Sequence, residues 1–297
     1  MIDYRNLAAL AAVVDEGGFE KAARVLNLTQ SAVSQRIRAL EEGLGLVLLV
    51  RAAPPAPTAA GRRLLALWRQ VRRLEEDVLA EVGRGEGGAF SVLPVGVNAD
   101  SLATWFLPAL DDFLRTHGVL LDVRVDDQEA THELLRAGEV AGCVTERAEA
   151  MQGCRVTPLG VMTYRLVAAP AFAARWFAHG MTHEAVVAAP MLVFNRKDDL
   201  HNKLLRAALG EPPPRIPITW LPSSEGFVRQ IARGHACGML PDVQSAGMIA
   251  SGELVDLAPG SAVRVRLHWH CWNLESSLLA AFTKALTQGA RGALEDG

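Results

Sequence analysis

Two short helices that must cross closely constrain this chain more than any other feature. Between Phe19 and Arg38, Ala22 and Ala23 keep a first helix thin, while Leu26, Leu28, Val33 and Ile37 fall where it and a second helix bury a shared seam. Asn27 suits the left-handed turn between them, and the Thr29 hydroxyl can N-cap the second helix. Gln30, Ser31, Ser34, Gln35 and Arg38 are then left on the face turned away from the seam. Glutamine pairs bidentately with adenine, serine donates or accepts at base edges, and Arg36 and Arg38 can reach guanine or neighbouring phosphates. The pattern predicts a helix-turn-helix that reads double-stranded DNA; the competing reading is a helical hairpin with a solvated face.

The flanks favour the DNA reader. Leu7, Leu10, Ala11, Val14 and Phe19 supply a supporting helix, and Gly43-Leu44-Gly45 stops the second helix. Leu48-Leu49-Val50-Arg51 and the proline-broken run to Pro57 predict a wing, with Arg51 and Arg62 as phosphate contacts. From Thr58 a long helix carries Leu64, Leu67, Val71, Leu74 and Val78 at alternating steps of three and four, a heptad seam. A helix over residues 58–83 would be about 39 Å long, too long for a small winged domain to cover. Pairing with the same helix of a second copy would bury it and deliver two reading heads to a two-fold related site.

The formal net charge is -3, so DNA binding must use a local patch, for which Arg36, Arg38, Arg51, Arg62 and Arg63 are candidates. No segment reads as an uncharged membrane span, and the first residues lack a secretory signal, which predicts a cytoplasmic protein. The four cysteines show no paired metal spacing and are expected to be reduced thiols. The boundaries predicted are 1–57 for the winged domain, 58–88 for the linker helix with a hinge at Arg84–Gly88, and 89–297 for an α/β domain. In the last, strand-like runs at Phe90–Val97, Val119–Val125, Val140–Thr145, Arg165–Ala169, Met191–Phe194, Ile216–Leu221 and Ala236–Leu240 alternate with helices near Asp100 and over Thr131–Ala137, Pro170–Phe177, Leu200–Leu209 and Ser224–Arg233. Val161–Ala169 and Val263–Trp272 are long enough to cross between two lobes, lobe I spanning about 89–162 plus 267–297 and lobe II about 163–266, with a final helix Leu274–Thr287 returning to lobe I.

Phe19 to Gly45, the Leu48–Arg51 wing and Pro57–Gly61 resemble the LysR-type transcriptional regulators, and the resemblance runs to the C-terminus. The segments Leu28–Ile37, Asn98–Trp105 and Ser223–Val228 are similar to the lysine/arginine-responsive ArgP (IciA) and LysG branch. The resemblance implies an activator of a basic amino-acid exporter gene, a homodimer or homotetramer working with RNA polymerase, and a periplasmic-binding-protein-like pair of lobes holding the effector, with no cofactor.

In such a fold a small molecule sits where strands end and helices begin, because free backbone N–H groups and the helix dipole attract an anion. Asn98-Ala99-Asp100-Ser101 is such a place: Ser101 could hold an α-carboxylate, and Asp100 could either cap the helix or accept an α-ammonium. Asp126, Asp127, Glu146 and Glu225 lie near strand or helix ends, where a cationic side chain would find a partner; Asp126 and Glu225 are favoured, with Thr145, Phe194, Asn195, Ser223 and Ser224 as further cleft residues.

Other chemistries fit less well. His268 and His270 share one side of a strand and could form half of a metal site, but no carboxylate or cysteine lies at useful spacing. There is no phosphate-binding glycine loop, no Gly-x-Ser-x-Gly elbow and no His-Glu-x-x-His helix, so no enzyme is predicted. An effector-independent chromosome or replication-origin binder would need only the winged domain and dimer helix.

Overall fold

The computed structural model describes residues 2–82, 90–125 and 128–296. The hinge at Arg84–Gly88 and the carboxylates Asp126 and Asp127 lie outside the described residues.

The N-terminal head packs α1 (Tyr4–Asp15), α2 (Phe19–Val25) and α3 (Gln30–Leu44) around Leu7, Leu10, Val13, Val33 and Ile37. Ala22 and Ala23 are buried where α2 meets α3. Gly45 ends α3 in the left-handed conformation, as a helix C-cap commonly does. The wing is two short antiparallel strands, β1 (Leu49–Val50) and β2 (Ala56–Pro57), paired Leu49 to Pro57. The Glu41 carboxylate accepts from the Leu48 and Leu49 amides at 2.8 and 3.2 Å, tying α3 to the wing.

Thr58 caps α4 (Ala59–Glu81), its hydroxyl accepting from the Gly61 amide and donating to the Val47 carbonyl. Gly61 is required here: a Cβ would fall 2.1 Å from the Leu48 carbonyl oxygen. The helix divides its faces. Leu65 is buried in the head core with Leu64 and Trp68 beside it. Leu67 and Val78 are 39% and 56% exposed, so that part of the heptad stripe is left open among the described residues. A third stripe, Ala66, Arg69, Arg73 and Asp77, turns toward the α/β domain, where a Cβ on Gly138 would lie 2.4 Å from the Ala66 Cα. Arg73 and Asp77 are buried on that stripe and paired at 2.6 Å.

The α/β domain begins with β3 (Ser91–Val97), α5 (Ala99–Ser101), a π-helical turn over Leu102–Phe106 and α6 (Leu107–Thr116). It continues through β4 (Val119–Val125), α7 (Gln128–Arg136) and β5 (Gly142–Thr145), then crosses on β6 (Cys154–Ala168). The second lobe holds α8 (Pro170–Trp176), α9 (His183–Ala188), β7 (Met191–Val193), α10 (Leu200–Leu209), β8 (Ile218–Trp220), α11 (Ser224–Ala232), β9 (Cys237–Pro241), α12 (Asp242–Ala250) and β10 (Val255–Asp256). The chain returns on β11 (Val263–Trp272) and ends with α13 (Ser277–Ala293).

One sheet runs through both lobes in the order β4-β3-β5-β11-β6-β9-β7-β8, with β10 added on β6. The neighbours β3, β4 and β5 are parallel, as are β7, β8 and β9; the two crossing strands pair antiparallel from Val263–Tyr164 to Trp272–Cys154. Their register shifts at Leu267/His268 opposite Gly160, whose φ of 138° belongs to glycine and which leaves room for Leu294 and Glu295 of the tail.

Several boundaries differ from the sequence expectation, among them α7, which runs over Gln128–Arg136 in place of Thr131–Ala137. β6 starts seven residues before Val161, because Pro158 and Gly160 interrupt its apolar alternation although it is an edge strand there, where proline is tolerated. The strand predicted over Val140–Thr145 is confined to Gly142–Thr145. The final helix starts after the Ser276 cap, not at Leu274, and passes Thr287 to Ala293, because Gly289 serves a close approach to α6: a Cβ there would lie 2.2 Å from the Ala109 Cβ.

Candidate nucleic-acid interface and effector cleft

On α3 the Thr29 hydroxyl accepts from the Ala32 amide at 3.1 Å, and Asn27 holds φ of 52° in the turn before it. Gln30, Ser31, Gln35 and Arg38 are exposed and Ser34 half-buried, forming one outward stripe at helical spacing. Arg36 is half-buried at the edge of the buried seam, outside that stripe. Arg51 leaves the wing with its guanidinium 5.9 Å from the Phe19 ring centroid, beside the start of α2. Arg62 donates to the Pro57 carbonyl at 2.9 Å and Arg63 is exposed next to it. These three arginines thus lie on the wing and at the start of α4 beside it.

The second site is formed where the crossing strand β6 meets strand ends of both lobes. After β3, Asn98 precedes the first helical turn; Asn98 and Ser101 are buried, and among the described residues neither Asn98 Oδ1 nor Ser101 Oγ has a hydrogen-bond partner. The same holds for Thr163 Oγ1 on β6. Asp100 is not a helix cap. Its carboxylate accepts from the Tyr164 hydroxyl at 2.9 Å and lies near the Ser224 hydroxyl at the start of α11, so it sits where lobe I, the crossing strand and lobe II meet. Burial pushes the Asp100 carboxyl up from its ordinary value, an effect opposed by those two hydroxyls. Burial likewise raises the Tyr164 phenol well above its usual range, with Asp100, Glu146 and Asp198 adding negative field. Three carboxylates from different elements therefore add negative field at one buried tyrosine, the Asp198 carboxylate itself accepting from the Phe194 and Leu200 amides at 3.1 and 3.0 Å. Lys203 of α10 reaches Glu146 at 3.9 Å from the other lobe.

The remaining sequence-predicted residues divide. Ser224 is in the Asp100 network and is bonded by Gln244 Nε2 at 3.1 Å. Ser223 caps α11. Thr145 is buried and its hydroxyl accepts from the Arg147 amide. The Asn195 side chain is taken up by its own turn, accepting from the Lys197 and Asp198 amides, and so does not reach outward. Phe194 is half-buried and Glu225 exposed on the first turn of α11. Asp126 lies outside the described residues. Sequence reasoning missed Tyr164, Thr163 and Asp198: the first two sit in a strand chosen for its apolar length, and Asp198 lies in a turn without periodicity.

His270 Nε2 bonds the Arg147 carbonyl at 2.7 Å and its ring meets His132 edge-on at 5.9 Å; burial lowers both imidazoles' affinity for a proton. No group of three metal-ligating side chains occurs among the described residues. Burial pushes the Cys143 and Cys237 thiols up to about 12 and Cys154 to about 11, which keeps them protonated.

Residues 4–62 match the bacterial regulatory helix-turn-helix protein, lysR family, and residues 87–291 match the LysR substrate binding domain. The chain belongs to the LysR family. It is 48% identical to the HTH-type transcriptional regulator ArgP of Pseudomonas aeruginosa (strain UCBPP-PA14), over 96% of this chain and 95% of that protein. The crystal structure of ArgP from Mycobacterium tuberculosis superposes with a TM-score of 0.91 at 40% identity, covering all of both chains. Full-length LysG from Corynebacterium glutamicum with bound effector Arg superposes with a TM-score of 0.81 at 34% identity, covering 99% of each. The two-part LysR architecture is thus present throughout, and the chain is a DNA-binding transcription regulator. Among the described residues no helix is long and apolar enough to cross a membrane.

Proposed function

We propose that this LysR-family regulator works in the cytoplasm as a homodimer or homotetramer and reads a two-fold promoter element through α3. It takes lysine or arginine in the cleft between its lobes and thereby switches, with RNA polymerase, a gene for a basic amino-acid exporter. Two observations support the paired assembly: the uncovered stripe at Leu67 and Val78, and a reading stripe that one subunit presents only once.

The convergence of Asp100, Glu146 and Asp198 around Tyr164, beside the unpartnered polar atoms of Asn98, Ser101 and Thr163, carries the effector reading. Buried polar atoms without partners are costly, and a ligand that supplies them is bound more strongly than their number suggests. The Ser101 hydroxyl and the first-turn amides suit an α-carboxylate, and the carboxylates suit the α-ammonium and a second cation. The LysG structure with arginine supports this ligand class. For switching, the ligand must bind two arrangements of the lobes unequally.

Calorimetric titration of the full chain tests this. Lysine or arginine should bind far more tightly than norleucine. Glu146→Gln should remove about 1–3 kcal/mol from the basic ligands and little from norleucine. Equal affinity for lysine and norleucine would refute the carboxylate assignment.

A further inference from the structure

A second concavity, of about 410 Å³, lies on lobe I away from the cleft, between α13 and the start of β6. Its chemistry is the reverse of the cleft's. Arg155, Lys284 and Arg291 border it, and no carboxylate lines it. Arg155 is held in place by the Leu274 carbonyl at 2.7 Å. Among the described residues none of the three cations lies within ion-pair distance of an acidic group, in a chain whose net charge is -3 and where arginines elsewhere are repeatedly paired. Leu279, Ala280 and Trp272 add apolar surface, and Thr283 adds a hydroxyl. Trp272 is itself buried, and among the described residues its indole N–H has no partner.

The register explains why these groups meet. Arg155 stands opposite Cys271, and Cys271 lies close to Thr283 of α13, so the arginine shares the α13 side of the sheet. Lys284 and Arg291 are seven residues, two helical turns, apart and so lie along one face of α13. Three cations around an apolar floor suit an organic anion with a hydrophobic body, and the volume is that of a small-molecule site. A compact hydrated anion would use the cations and waste the floor.

We propose that this groove is a second ligand site, distinct from the cleft, that takes a small amphiphilic carboxylate. The inference does not depend on the identity of the cleft ligand.

Titration of the full chain with phenylacetate and hexanoate, and with inorganic phosphate for comparison, decides it. Saturable one-to-one binding of a carboxylate is expected, weakened about tenfold or more in Lys284→Gln/Arg291→Gln. Ala280→Glu, an exposed helix position inside the groove, should abolish it while leaving the unliganded melting temperature unchanged. The proposal is overturned by the absence of saturable carboxylate binding up to about 10 mM, by unchanged binding in both variants, or by phosphate binding as tightly as the carboxylates.

Discussion

The reading head and the cleft handle polar groups in opposite ways. In the head, side-chain oxygens close the chain on itself: Thr29 caps α3, Thr58 caps α4, and Glu41 takes two wing amides. What remains unpaired there, Gln30, Ser31, Gln35 and Arg38, is in water. In the cleft the unpartnered atoms of Asn98, Ser101 and Thr163 are buried, and the Asp100 carboxylate beside them is half-buried. A recognition surface for DNA can wait fully hydrated, because its partner is a large polyanion that arrives from solvent. A pocket for a small ion must hold its groups ready and dry, which costs stability until the ligand supplies partners.

The sharpest break of that contrast is to ruin one region and leave the other. Gly61→Val places side-chain carbon against the Leu48 carbonyl, backbone that cannot turn aside. The head should lose about 3 kcal/mol or more, and DNA binding with it, while ligand binding to the lobes persists. Mobility shift beside calorimetry reads both; loss of both would mean that the regions fold as one unit.

A smaller effect belongs to the outward stripe. Gln30→Ala or Gln35→Ala should cost about 1–3 kcal/mol on a specific operator and almost nothing on unrelated DNA. Neither should change stability, since both side chains are exposed. Equal losses on the two DNAs would place these glutamines off the base edges.

For the cleft the contrast predicts a gain of stability on mutation. Burial raises the Asp100 pKa above its ordinary 3.8, so the ionised form is the disfavoured one. The group weighs nothing against folding below that ordinary value, and its penalty develops as pH rises through the raised folded-state value. Asp100→Asn, which can still accept from Tyr164, should therefore melt higher than the wild type at pH 7.5 and lose that advantage as the solution is acidified. The same variant should bind lysine more weakly. A variant that melts lower at pH 7.5 would show that the carboxylate is well solvated or paired.

How much of this was legible in the sequence follows the same line. The head could be read almost residue by residue, because its determinants are local: an alanine pair, a threonine cap, a glycine stop. The crossing strand β11 was legible from its apolar run, and β6 only over Val161–Ala168, where both faces are buried; its edge portion carries Pro158 and Gly160 and has no alternation to read. In the cleft, Asn98, Asp100, Ser101 and Ser224 were reachable as residues at helix starts. Tyr164 and Asp198 were not, since they come together only through the pairing of distant strands, and nothing in their neighbours marks that meeting. The buried Arg73–Asp77 pair was hidden for the same reason: the helix reads as amphipathic, yet two of its charged residues are buried and paired with each other.

The contrast between head and cleft leaves open how one region informs the other, and Arg69 is placed to do it. Its guanidinium donates to Asp15 at the end of α1 at 2.6 Å and to the Gly138 carbonyl, just beyond α7, at 3.2 Å. Gly138 is held in the left-handed conformation with Ala66 against it, so the end of α7 cannot move without disturbing α4. The strand that precedes α7 in the chain, β4, ends at Val125 beside Val97, the last residue of β3 before the cleft's Asn98. One partly exposed side chain thus ties reading head, linker helix and effector lobe together. Because Asp15 is half exposed, Arg69→Met should change stability by less than about 1 kcal/mol. Lysine or arginine affinity should stay within about twofold when DNA is absent. What should fall is the ratio of operator affinities measured with and without the ligand, since that ratio is the coupling between the sites and is reciprocal by linkage. If mobility shifts give the variant the full wild-type ratio, the signal runs by another route, such as the Arg73–Asp77 pair, and Arg69 is a surface ion pair with a backbone contact and nothing more.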